Sequence, residues 1–224
     1  MQKIDYKNIQ SGQYVESVVS FIERYLPSFS FNAPIENNDN EWFLNDKLAQ
    51  LLTHEARFGE FPFTFFPEPK HEKESGKPDI GALISIKTQR NYYPFFTLEC
   101  KRLPTPRSTA DEKKEYVTGF KGGITRFKRN EHGVDLPINA MIGYVEKYDF
   151  EYWHSEINNW IESLNGTIEK GKTSTKDITW VTDEILEKIY FNEIARLHSK
   201  HPRINSTFTT EVTLVHFWVK IKNN

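Results

Sequence analysis

Two apolar runs, PDIGALISI from Pro78 and YYPFFTLECKRL ending at Leu103, are separated only by KTQRN. Each is rich in β-branched or aromatic residues, and together they predict a β-hairpin. The charged residues sit at one end of it. Asp79 opens the first strand, and Glu99 and Lys101 close the second. In an antiparallel pair the numbers of facing residues sum to a constant, and side chains alternate between faces. A turn centred near Gln89 therefore places Asp79 opposite Glu99. Glu99 and Lys101 are two apart and share a face, with Leu83 and Thr97. Ile80, Ile84, Phe96, Leu98 and Cys100 point the other way, into a core.

The rest of the chain predicts an α/β protein. Residues 14 to 26 carry Val15, Val18, Val19, Ile22 and Leu26 at helical spacing, and a loop rich in Asn, Pro and Asp runs from Pro27 to Asn40. NEWFLNDKLAQLLTHEARF follows, with Leu44, Leu48, Leu51 and Leu52 on one stripe. FPFTFFPEP is extended, its prolines shortening any strand there. After the hairpin, YVTGFKGGITRFKRN reads as a helix despite its glycines and NAMIGYVEKY as a strand. FEYWHSEINNWIESL reads as a helix, a second helix is expected near 181 to 198, and EVTLVHFWVKI closes the chain as a strand. The layers are those of a single α/β domain over 1–224, with an N-terminal helical extension over about residues 1–40.

Composition narrows the function class. The 224 residues are 38% hydrophobic and 14% aromatic, too apolar for a disordered chain. No long uncharged apolar run and no signal-peptide core is present, so a soluble cytoplasmic protein without a membrane partner is expected. The lone Cys100 excludes a disulfide framework and a multi-cysteine zinc site. The net charge of −2 argues against a general nucleic-acid coat, but the charge is unevenly spread. Between Lys101 and Arg129 stand nine basic residues and three acids, a local excess of six positive charges. Arg102, Lys121, Arg126, Lys128 and Arg129 are the nucleic-acid-binding candidates in that stretch.

Two carboxylates and a lysine on one face suit metal-dependent phosphodiester hydrolysis. Asp79 and Glu99 offer hard oxygens to Mg²⁺, for which Mn²⁺ can substitute, and the Cys100 backbone carbonyl can add another. Such a cation polarises the phosphate and lowers the pKa of a bound water. Lys101 would orient that water or stabilise developing negative charge. The plain alternative is a cross-strand ion pair on a solvated face, which contributes little. Glu41 lies on the leucine stripe of its helix, where a carboxylate is costly unless paired or metal-bound. Its own plain alternative is a first-turn glutamate favoured by the helix dipole. Asp46 falls on the opposite, polar face.

Pro78-Asp79 followed by Glu99-Cys100-Lys101 resembles the PD-(D/E)XK, or restriction-endonuclease-like, nuclease superfamily. The resemblance spans roughly residues 41 to 145 and extends to YVTGFKGGITRF, which is similar to the helix after the Glu-x-Lys strand in members linked to bacterial defence against foreign DNA. It implies a central mixed β-sheet flanked by helices on both faces, with Asp79 and Glu99-Cys100-Lys101 on adjacent strands and Glu41 added from an upstream helix. It also implies a Mg²⁺-dependent nuclease acting on DNA, with antiviral defence as its setting and a homodimer or a defence-complex partner. An RNase, or a non-catalytic binding module of a larger defence or restriction complex, would carry the same pattern.

Secondary candidates have structural readings beside them. Gly119 and Gly123, four apart, would share a helix face packed on the sheet. In HSKHPR, Lys200 or Arg203 suits a phosphate better than the histidines suit a metal. His216, within an apolar strand, reads as a hydrogen-bonded core histidine, and Cys100 as an inert small hydrophobe. Trp153 and Trp160, seven apart, read as a core stripe.

Overall fold

The computed structural model describes residues 13–32, 40–69, 76–85, 93–106, 113–119 and 121–221. The expected hairpin turn around Gln89, and Arg107 of the basic stretch, lie outside them.

The centre is a seven-stranded mixed sheet with strand order β1-β2-β3-β4-β9-β8-β7. Its strands are β1 (Phe63–Pro67), β2 (Ile80–Ile84), β3 (Phe96–Leu103), β4 (Ile138–Val145), β7 (Glu187–Phe191), β8 (Ile194–Pro202) and β9 (Glu211–Lys220). A separate pair, β5 (Ile168–Glu169) and β6 (Ile178–Thr179), forms a small antiparallel hairpin. Strands β3, β4 and β9 run parallel to one another, and antiparallel strands complete both sides. Four α-helices are described: α1 (Gln13–Asn32), α2 (Glu41–Phe58), α3 (Gly123–Lys128) and α4 (Phe150–Leu164).

Each face of the sheet has its own core. Val15, Val18, Ile22 and Leu26 of α1 and Leu44, Leu48 and Leu52 of α2 pack on one face, against Ile80, Phe96, Leu98, Cys100 and Ile142. The opposite face buries Leu103, Met141, Leu197, Leu214 and Trp218 beneath Ile124 and Phe127 of α3 and Trp153, Ile157 and Ile161 of α4. The chain is thus α/β, with helices on both sides of one mixed sheet. None of the helices among the described residues is long and apolar enough to cross a membrane.

The hairpin expectation holds in its register. Ile80 faces Leu98, Gly81 faces Thr97 and Ala82 faces Phe96. Continuing by one residue brings Asp79 opposite Glu99.

Three readings are corrected. The loop expected from Pro27 does not begin there, because α1 continues through Pro27 to Asn32. Residues 181 to 198 do not form a helix. From Glu187 they form β7 and β8, reversed at Asn192-Glu193, where the Asn192 N–H donates to the Ile194 carbonyl at 2.9 Å. Leu, Ala, Glu and Lys favour a helix locally, but β8 pairs along its whole length with β9 and buries Ala195, Leu197, Ser199 and His201 at period two. The segment after Tyr116 is helical only from Gly123 to Lys128. Gly119 has φ of +103°, a left-handed conformation no helix contains. Gly119 and Gly123 therefore do not share a helix face.

Candidate active site

Asn40 begins the assembly of the site. Its side chain caps α2 by accepting the Phe43 N–H at 2.9 Å, which places Glu41 in the first turn. The leucine stripe then seats α2 against β1 and β3. Glu41 is thereby carried to the end of β3. Its carboxylate accepts from Lys101 Nζ at 3.0 Å and from the Arg102 backbone N–H at 3.2 Å.

Asp79 meets this group from β2's leading end, accepting the Cys100 backbone N–H at 2.7 Å. Lys101 Nζ also donates to the Cys100 carbonyl at 2.8 Å and stands 3.0 Å from Glu99. The four residues singled out by the sequence, Glu41, Asp79, Glu99 and Lys101, are therefore brought to one point, with the Cys100 carbonyl among them. The Cys100 thiol lies in the core, as alternation requires.

The face bearing Glu99 is not a solvated one. Glu99 is 0% exposed and Lys101 is buried beside it. The Arg126 guanidinium donates to Glu99 Oε1 at 2.8 Å. His132 Nδ1 lies 2.8 Å from Glu99 Oε2, at ion-pair distance but off the hydrogen-bond direction, so both buried atoms lack a hydrogen-bond partner.

The charges set the protonation states. Burial pushes the Glu99 carboxyl upward, but Lys101, His132 and Arg126 outweigh it and hold Glu99 below the usual carboxylate range. Burial likewise opposes the Lys101 ammonium, while Glu99, Glu41 and Asp79 more than restore it and raise Lys101 above its ordinary value. Asp79 goes the other way: burial and the Glu99 charge raise its carboxyl well above the usual range, against the lowering by Lys101 and the Cys100 N–H. The two carboxyl groups of one cluster are thus shifted in opposite directions.

The donor set fits a hard divalent cation in kind. Carboxylate oxygens of Asp79 and Glu99 and a backbone carbonyl are ligands Mg²⁺ accepts, and Glu99 Oε2 is a buried oxygen with no hydrogen-bond donor. In this conformation the Lys101 ammonium holds Glu41, Glu99 and the Cys100 carbonyl at 2.8–3.0 Å. Among the described residues, no three His, Cys, Asp or Glu side chains are gathered as a ready metal group. A cation sharing these oxygens requires the ammonium to swing aside.

The basic stretch is distributed differently from the expectation. Lys128 is fully buried in an ion pair with Glu184, and Arg129 is buried against Glu169 and the Lys170 and Lys176 carbonyls. Lys128 cannot meet a phosphate in this arrangement, and Arg129 reaches the surface only in the lining of a cleft; both tie the interior together, because each faces a carboxylate that the fold delivers from far along the chain. Arg102 forms a two-pronged pair with Glu146. Arg126 is partly exposed but committed to Glu99, and Lys121 is exposed. Arg203 is also buried, donating to the Phe127 and Leu136 carbonyls, whereas Lys200 is exposed.

His132 was not indicated by any sequence signal, since it lies in the turn after α3 with no periodic relation to Glu99. The expected core residues are in place: His216 bonds Tyr116 and Ser199 within the interior, and Trp153 and Trp160 pack on the α4 side. No family model, no curated protein and no solved structure matches this chain.

Proposed function

We propose that this protein is a metal-dependent nuclease that hydrolyses phosphodiester bonds of DNA, of the PD-(D/E)XK kind, with bacterial defence as its setting. The observation that carries the reading is the convergence of Glu41, Asp79, Glu99 and Lys101 from one helix and two adjacent strands of a mixed sheet. That is the placement the sequence resemblance implies. Asp79, Glu99 and the Cys100 carbonyl would hold Mg²⁺, with Glu41 beside them. The cation would supply polarisation of the scissile phosphate and a bound water of lowered pKa.

The chain's own groups do the rest. Lys101, kept protonated by its three carboxylate neighbours, contributes positive charge to the developing phosphorane and orients the attacking water; it is not a proton acceptor. Arg126 and His132 fix the Glu99 carboxylate from the far side and keep it ionised. The core on both faces holds β3 rigid, so Glu99 and Lys101 are positioned by the sheet and not by a loop.

One observation favours a second reading. Glu99 is fully buried and held by Lys101 and Arg126 with His132 beside it, as in a structural ion-pair network, which suits a binding module that retains the fold without catalysis. Incubation of the protein with linear DNA, circular DNA and RNA, with Mg²⁺ or with EDTA, separates the readings. The nuclease reading expects Mg²⁺-dependent DNA cleavage that Asp79→Asn abolishes. Cleavage of RNA alone would make it an RNase, and DNA binding without cleavage in either metal condition would establish the non-catalytic module.

A further inference from the structure

A second feature adjoins the acid cluster. A cleft of about 310 Å³ opens where the segment entering β2, the turn after α3 and the β5–β6 hairpin meet. It is lined by Lys77, Arg126, Arg129, Lys172 and Lys176, and among the described residues Glu131 is the one acid that lines it. The acid partners of Lys77, Arg126 and Arg129, which are Glu68, Glu99 and Glu169, do not line it. Three of the five cations are thus paired from outside the cleft and Lys176 lies 3.9 Å from Glu131, so Lys172 supplies the uncompensated positive charge.

The cleft is built, and three separate parts of the chain build it. His132 lines it with a buried ring whose Nδ1 lies 2.8 Å from Glu99 Oε2. Gly76 lies so close to that ring that a Cβ there would stand 2.8 Å from His132 Nε2, so the bare backbone lets the Lys77 segment close against it. Glu169 accepts from Thr118, Thr125, Trp180 and Arg129, pinning the β5–β6 hairpin to the turn before α3. The hairpin in turn holds Lys172 and Lys176 over the opening. Lys172 is exposed and has no ion-pair partner among the described residues. Lys176 donates to the Arg129 carbonyl at 3.2 Å and lies 3.9 Å from Glu131.

The cleft is also continuous with the candidate active site. Arg126 and His132 belong to both, one face of each turned to Glu99. Lys77 is two residues before Asp79. Among the described residues no aromatic ring other than that imidazole lines the cleft, and its lysines act as point charges suited to phosphate. Contacts of that type position a backbone without reading sequence.

We propose that this cleft binds successive backbone phosphates of a polynucleotide strand through Lys77, Lys172 and Lys176, and so leads the strand to the acid cluster. The proposal rests on the nuclease reading only in that the strand held there is the substrate.

The test is binding of a fluorescently labelled DNA duplex in EDTA, followed by anisotropy over a salt series, so that no cleavage enters. The double variant Lys172→Gln/Lys176→Gln should bind about tenfold more weakly, with a log–log salt slope shallower by nearly 2, at about 0.9 for each phosphate no longer neutralised. Lys172→Gln alone, at an exposed side chain, should show about half that change in slope and covers the case in which the double variant does not fold. Lys188→Gln, on the edge strand β7, is the control for net charge and should change neither quantity. Unaltered binding and slope in both hairpin variants would overturn the proposal, as would an equal loss in Lys188→Gln or no DNA binding by the wild-type protein. Inorganic pyrophosphate identifies the source of the phosphate. If the hairpin variants lose thermal protection by pyrophosphate but keep full DNA affinity, the ligand is a free phosphate compound and the proposal falls. The nuclease reading answers to a different measurement, the Mg²⁺-dependent cleavage abolished in Asp79→Asn, and it can fail while the cleft still binds DNA.

Discussion

Lys101 occupies the centre of the acid cluster, and its surroundings determine how its removal would act. Its ammonium touches Glu41, Glu99 and the Cys100 carbonyl from three directions. Glu99 keeps Arg126 and His132 when Lys101 is gone, so the carboxylate is not left uncompensated. We expect Lys101→Ala to remain folded, by thermal unfolding, and to keep its DNA affinity within a few-fold, while cleavage falls by about 10²- to 10³-fold. Lys101→Arg should restore little of that rate, because a planar guanidinium cannot place one point charge among three converging oxygens. Wild-type cleavage in the alanine variant would remove Lys101 from the mechanism and leave it an ion-pair residue.

At the scale of elements, α2 and the end of β3 form one working unit. The Asn40 cap fixes where α2 begins, the leucine stripe fixes which side faces the sheet, and together they place Glu41 on Lys101. Losing the cap should cost about 1 kcal/mol. Asn40→Ala should therefore lower the unfolding midpoint modestly and reduce cleavage beyond what the stability loss explains, since Glu41 loses its fixed position. Asn40→Asp, which keeps the capping oxygen, should preserve both. Equal activity in the alanine variant would show that the packing of Leu44 and Leu48 alone positions Glu41. The β5–β6 hairpin is the other such unit. Glu169 anchors it, and its lysines are the reason to look for substrate there.

Across the molecule, a chain of buried polar groups crosses the core on the α4 side. Lys128 pairs with Glu184, which bonds His201; Ser199 joins His201 to His216, and His216 bonds Tyr116, which accepts from Trp218. Burial lowers the pKa of His201, the Glu184 carboxylate only partly offsetting it, and burial with His201 and His198 nearby lowers His216 well below its ordinary value. Both rings are therefore neutral in the folded protein, while in the unfolded chain they titrate near about 6.5. Below that pH the unfolded state binds more protons, so stability is intact above about pH 6.5 and falls as the pH drops toward the folded values. Glu184 and Glu99, both held below the usual carboxylate range, add to the loss at lower pH. Urea midpoints at pH 7.5, 6.5 and 5.5 should be flat between the first two and lower at the third. His216→Gln should be less stable throughout and show a smaller drop from 6.5 to 5.5. An unchanged drop would place the acid sensitivity elsewhere.

What was legible in the sequence was local in origin. The alternation of PDIGALISI and FFTLECKRL has period two, and a short connection makes facing numbers sum to a constant, so the partnership of Asp79 with Glu99 and the shared side of Lys101 follow from the order of the residues alone. Glu41 could be added because a carboxylate on a leucine stripe needs a partner. What the sequence could not show was the identity of distant partners. Counting charges puts Lys128 and Arg129 on a basic surface, yet their carboxylates, Glu184 and Glu169, lie 56 and 40 residues further on, and only the folded chain turns those cations inward. Residues 187–202 have helix-favouring composition, but pairing with β9 outweighs a propensity of a few tenths of a kcal/mol per residue. His132 reaches Glu99 from a turn with no periodicity to read. Local alternation determined which residues could meet across one hairpin, while long-range packing decided which charges became a site and which became its frame.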